Sequence, residues 1–101
     1  MDWLCKADGF VFVIDSQEVC LERNIEQLVH LNRDLLGRGV NPTIKPVVFQ
    51  ANKRDLPYLS TMEFLRSKFT AKRCAYVESV ATEGVGTLEA VALLCELMAE
   101  P

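Results

Sequence analysis

The chain is short of several things, and each shortage narrows its chemistry. Its 101 residues hold a single histidine, His30, and four cysteines, Cys5, Cys20, Cys74 and Cys95, with no C-x-x-C spacing. The cysteines read as reduced, partly buried thiols rather than a metal or redox centre. No Ser-His-Asp set, Cys-His pair or working carboxylate pair is evident. The longest apolar run near the amino terminus, Phe10 to Ile14, is far too short to span a membrane. No signal peptide is recognisable, so a cytoplasmic location is expected. A net charge of −3 and a pI near 5.1 speak against a nucleic-acid surface or an anionic membrane, which call for clustered Lys and Arg. The local cluster Lys68, Lys72 and Arg73 reads as a solvated helix end.

What is present is an ordinary globular balance, half hydrophobic and a quarter charged, in a length that suits one small domain or part of one. Three strand-then-helix units follow each other. The first strand, "GFVFVID" from Gly9 to Asp15, is apolar at successive positions, as in a parallel sheet covered on both faces. A helix is expected from about Gln17 to Leu36, with Leu21, Ile25, Leu28, Leu31 and Leu35 on one face and an Asp15–Glu18 capping box. Gly37 and Gly39 end it. A polar loop through Asn41 and Pro42 leads to Pro46, tolerated at the start of a strand.

The second strand is "VVFQA", Val47 to Ala51, followed by Asn52, Lys53, Arg54 and Asp55. Ser60 and Glu63 suggest another capping box, for a helix running to about Phe69. The third strand is "CAYVESV", Cys74 to Val80. After "ATEGVG" a last helix spans Thr87 to Met98, with an apolar stripe of Leu88, Val91, Ala92, Cys95 and Met98. This alternation predicts an α/β fold with three parallel strands, each followed by a helix, in a three-layer arrangement with right-handed crossovers. Ligands of such sheets bind beyond the carboxyl ends of the strands. The loops after Asp15, Ala51 and Val80 all fall there.

Asn-Lys-x-Asp after an apolar strand is suited to reading guanine. The Asp55 carboxylate can accept from the ring N–H and the exocyclic amine together. Adenine lacks that donor pair and would leave the carboxylate short by roughly 1–3 kcal/mol per lost partner. The Lys53 stem can cover base and ribose while its ammonium stays wet. Asn52 can tie the loop to its neighbours and bond the base edge. In "ESVATEG", the small Ala81 would let a backbone N–H reach the guanine carbonyl oxygen, with Thr82 beside it. A plain strand-end turn is the alternative for the first motif, and helix-entry glycines, Gly84 and Gly86, for the second. No G-x-x-x-x-G-K-[ST] cradles a β-phosphate, no D-x-x-G loop addresses a γ-phosphate, and no Mg²⁺ hydroxyl ligand follows. Catalysis by this chain alone is therefore not expected.

"ADGFVFVIDSQ", "NKRDLP" and "VATEGVGTLEAV" together resemble the carboxyl-terminal half of a Ras-like small GTPase, and within that superfamily the bacterial gliding-motility, MglA-type branch. The resemblance covers nearly all of this chain and about half of the family's domain. It implies a partial P-loop-NTPase-like domain over residues 1–101 without the phosphate-loop and switch half, "MDWLCK" being the end of a preceding helix. It further implies guanine contacts from Asn52, Lys53, Asp55, Ala81 and Thr82, with GTP or GDP as ligand and Mg²⁺ only in a full-length parent. Val80-Ala81-Thr82 replaces the Ser-Ala-Lys of many relatives, removing a hydroxyl and a stacking lysine. Full-length members are GTP-driven switches of cell polarity and motility, with Roadblock-type activating partners acting on switch regions this sequence lacks.

Two other readings stay open. One is a non-catalytic module that keeps the fold and binds a protein, or itself, through an open sheet edge. The other is a receiver-like domain using Asp15, which explains Asn52 to Asp55 poorly.

Overall fold

The computed structural model describes residues 9–39 and 45–99, apart from the side chain of Ala81. Cys5, the expected Met1–Lys6 helix end and the Asn41–Pro42 loop lie outside these residues. Three strands, β1 (Phe10–Asp15), β2 (Val47–Asn52) and β3 (Cys74–Glu78), form one parallel sheet in the order β1-β2-β3. The register sets Phe10 beside Val47, Val47 beside Cys74 and Asp15 beside Asn52. The helices are α1 (Leu21–Gly37), α2 (Met62–Lys68) and α3 (Thr87–Ala99), with 3₁₀ turns at Glu18–Cys20 and Ala81–Glu83. The expected α/β alternation is thus present, each strand followed by a helix.

β2 is central and buried almost throughout, which is why its sequence is apolar at consecutive positions. One face packs Ile14, Val47, Phe49 and Ala51 against Leu65 and Phe69 and the inner side of α1, through Leu21, Ile25 and Leu28. Phe49 anchors it, stacked on Tyr76 at 5.6 Å and set edge-on to Phe12 at 6.1 Å. The other face packs Val48 and Val77 against Ala90, Leu93, Leu94 and Leu97 of α3. Helices therefore cover both faces, giving three layers.

Four local expectations change. No capping box forms at Asp15 and Glu18: a 3₁₀ turn intervenes, and Asp15 Oδ1 instead accepts from the Gln17 N–H. At α2 the cap is Thr61, whose hydroxyl accepts from the Phe64 N–H, while Ser60 is buried and its N–H donates to the Ser16 carbonyl. β3 stops at Glu78, because Val80 turns away to pair with Val85. On α3 the expected apolar stripe faces outward, with Leu88 82% and Val91 55% exposed. The literal D-x-x-G at Asp34–Gly37 is the last turn of α1, with Asp34 paired to Arg38, and forms no loop.

Candidate functional site

The carboxyl ends of all three strands converge on one edge, and a hydrogen-bonded lattice joins their loops. Asn52 is the last residue of β2. Its carbonyl accepts from the Ser16 N–H, tying it to the end of β1. Its side-chain Oδ1 accepts from the Ser79 hydroxyl at 3.1 Å, tying it to the segment after β3. The Ser79 N–H donates to the Ala51 carbonyl, and the Arg54 N–H to the Ser79 carbonyl. The loop that carries Asn52 to Asp55 is thus fixed from both neighbouring strands.

Lys53 adopts φ +62°, a left-handed conformation that costs a non-glycine residue roughly 1–2 kcal/mol. The turn closes through the Leu56 N–H on the Lys53 carbonyl. The Lys53 ammonium does not simply stay wet: it lies 2.8 Å from Asp15 Oδ2. Burial pushes the Asp15 carboxyl up. The hydrogen bonds from Lys53 and the Gln17 N–H outweigh that, and the net value lies below the ordinary one. Lys53 is correspondingly raised, first by its hydrogen bond to Asp15. A cleft of about 230 Å³ opens here, lined by Asp15, Cys20, Arg23, Asn24, Asn52 and Lys53 among others.

Arg54, unassigned in the motif, braces the loop from below. Its Nε donates to Glu78 Oε1 at 3.1 Å and a terminal nitrogen to the Ser60 carbonyl at 2.7 Å. Asp55, the next residue, is exposed. Ala81 begins the 3₁₀ turn two residues after Ser79, and Thr82 in that turn is exposed. The structure therefore brings Asn52 and Lys53 together with Asp15 and links their loop to the Ala81 segment, while Asp55 and Thr82 face solvent.

The turn before α3 depends on Gly86. At φ +82°, a Cβ there would lie 2.3 Å from the Glu78 carbonyl oxygen. This close passage brings the Ala81–Glu83 turn back against β3, with reciprocal bonds between Val80 and Val85.

Sequence reasoning missed the supporting residues. Asn24 grips the end of β1 with its amide, donating to the Asp15 carbonyl at 2.8 Å and accepting from the Asp15 N–H at 3.2 Å. Gln50 and Ser79 are buried polar residues behind Asn52. A glutamine inside an otherwise apolar central strand was the available signal, since buried polar groups demand partners. Among the described residues no cluster of three or more His, Cys, Asp or Glu could hold a metal, and no helix is long and apolar enough to cross a membrane. Cys20, Cys74 and Cys95 are free.

An open parallel sheet with a helix after each strand and its polar loops at the carboxyl edge fits part of a P-loop-NTPase-like α/β domain. No family model matches the chain. It is 42% identical over 90 residues to the mutual gliding-motility protein MglA of Myxococcus xanthus, a match taking in 86% of this chain and 46% of that protein. The chain is thus homologous to part of an MglA-type, Ras-like small GTPase and spans about half the length of this curated relative. That homology, rather than anything at Asp15, decides against the receiver-like reading.

Proposed function

We propose that the chain is the base-recognition half of an MglA-like small GTPase, with Asn52, Lys53 and Asp55 reading guanine and the Ala81–Thr82 turn closing the pocket. The observation that carries this reading is the bond from Ser79 to Asn52, which couples the two loops a guanine would lie between. Lys53 then has two tasks: its stem covers the base and its ammonium locks the loop to Asp15. The exposed Asp55 carboxylate faces outward, where the donor edge of guanine would meet it.

These 101 residues contain no phosphate-loop motif. A guanosine of about 20 non-hydrogen atoms, at roughly −0.3 kcal/mol each, gives about −6 kcal/mol, or tens of micromolar. GTP turnover by this chain alone is not expected, and a phosphate-release assay should read background. Any Mg²⁺ would belong with phosphate-loop residues absent from this sequence.

The test is an amide NMR titration of the 101-residue chain with GDP and then ADP. Resonances of Asn52 to Asp55 and of Ala81 should move with GDP only, and Asp55→Ala should abolish the difference. A second reading, a protein-interaction module, is favoured by the outward apolar face of α3 and by Val13, half exposed on the edge strand β1. A dispersed spectrum indifferent to both nucleotides would select it.

A further inference from the structure

Gln50 sits in the middle of the central strand, only 5% exposed, between two core residues, Phe49 and Ala51. An apolar side chain would pack there with less difficulty, since a buried amide must have its polar atoms met. Its Nε2 donates to the Ser79 hydroxyl oxygen at 2.9 Å. That hydroxyl in turn donates to Asn52 Oδ1 at 3.1 Å. Ser79 is itself 1% exposed, so both bonds start in the core and end at the loop.

With Gln50 Nε2 set toward Ser79, the direction of the relay follows from counting protons. A serine hydroxyl has one proton to give. Because Gln50 presents a donor, the hydroxyl accepts from it and keeps its own proton for Asn52. The Asn52 oxygen is therefore held toward Ser79, and its amide nitrogen, which carries two protons, points away from Ser79. Were Gln50 to present an acceptor, the serine proton would be drawn to it, and Asn52 would meet a lone pair with its oxygen.

We propose that Gln50 and Ser79 are positioning residues of the guanine loop: they fix which end of the Asn52 amide meets the base. This rests on the guanine reading above. With Asp55 matched to the ring N–H and exocyclic amine of guanine, the polar atoms left on the purine are all acceptors, O6 and N7 on one edge and N3 on the other. An amide nitrogen complements them; an amide oxygen would set acceptor against acceptor. A buried relay thus converts a side chain with two nearly isosteric orientations into a one-way donor, and the sheet core supplies the rigidity.

The test compares GDP, 7-deaza-GDP and ADP on the native chain and on Ser79→Ala, Ser79→Thr and Gln50→Met, by amide NMR titration. The native chain should bind GDP about tenfold more tightly than 7-deaza-GDP, the loss expected for one hydrogen bond. The Asn52 side-chain amide protons should shift with GDP and not with the deaza analogue. Ser79→Ala should shrink the preference to within about twofold, and Ser79→Thr, which keeps the hydroxyl, should restore it; a mere packing role would not separate these two variants in this readout. Should Ser79→Ala lose its dispersed spectrum, Gln50→Met reads the relay from its other end, and its preference should fall as well. Undiminished preference in Gln50→Met or in a folded Ser79→Ala overturns the assignment. So does a native chain that prefers GDP to ADP yet treats GDP and 7-deaza-GDP alike. A native chain that does not distinguish GDP from ADP overturns the guanine reading itself, and the positioning role with it.

Discussion

The Lys53 ammonium lies 2.8 Å from the Asp15 carboxylate, so the ends of β1 and β2 are joined by charge as well as by backbone pairing. Both side chains are partly exposed, which keeps the pair's contribution modest and salt-sensitive. What it fixes is the position of a lysine that would otherwise sample many rotamers.

The pair makes stability depend on pH at both extremes. The folded-state value of Asp15 is depressed, so its contribution is present above the ordinary aspartate value and is lost as pH falls through the depressed one. Lys53 is raised, so its contribution is complete below the ordinary lysine value and disappears as pH rises through the raised one. Melting temperature between about pH 5 and pH 2.5 should fall less steeply in Asp15→Asn than in the native chain. Equal slopes would show that the pair carries no linkage.

Gly86 and Gly84 provide a matched comparison. Both have positive φ, but a Cβ at Gly84 meets open space whereas one at Gly86 meets the Glu78 carbonyl at 2.3 Å. Gly84→Ala should cost about 1 kcal/mol of backbone strain. Gly86→Ala adds a clash with backbone that cannot swing aside, and should exceed about 3 kcal/mol. Urea denaturation of the two variants would rank them, and equal midpoints would contradict this geometry.

The two sides of α3 should differ in their sensitivity to substitution. Leu88 is 82% exposed, and Leu88→Gln should change stability by less than about 0.5 kcal/mol. Ala90 is buried against Val48 and Val77, and Ala90→Leu should cost roughly 1–3 kcal/mol through overpacking. Thermal melts would separate them, and a large loss at Leu88 would mean that face is covered.

Arg54 spans Glu78 and the Ser60 carbonyl with its planar fork, a geometry lysine cannot copy. Arg54→Lys should therefore behave like Arg54→Ala. Amide hydrogen exchange of residues 53–56 should quicken several-fold in both variants while exchange in β2 stays unchanged. Protection retained in the lysine variant would show that charge alone suffices.

The strand–helix alternation was readable because parallel strands covered on both faces are continuously apolar, as "VVFQA" is, and because the Asn-Lys-x-Asp loop follows such a run. The α3 orientation was not. That helix is apolar nearly all round, so Leu88, Val91, Cys95 and Met98 keep helical spacing as well as Ala90, Leu93, Leu94 and Leu97 do, and only contact with Val48 and Val77 chooses between them. Thr61 rather than its neighbour Ser60 caps α2, and the Ser60 N–H is instead bonded to the Ser16 carbonyl just past β1, a long-range contact that no local pattern reports. Asp15, Asn24 and Ser79 belong to the loop lattice through contacts distant in sequence, which no local pattern reports.

The order of the sheet also bears on synthesis. β2 is central in space but second along the chain, and each of its neighbours is separated from it by an intervening helix. Along this chain, β1 therefore cannot meet its β2 partner until α1 and all of β2 have cleared the exit tunnel, and β2 then waits for β3. During that interval the β2-facing edge of "FVFVI" stays open, and slowing translation just after Asp15 would lengthen its exposure.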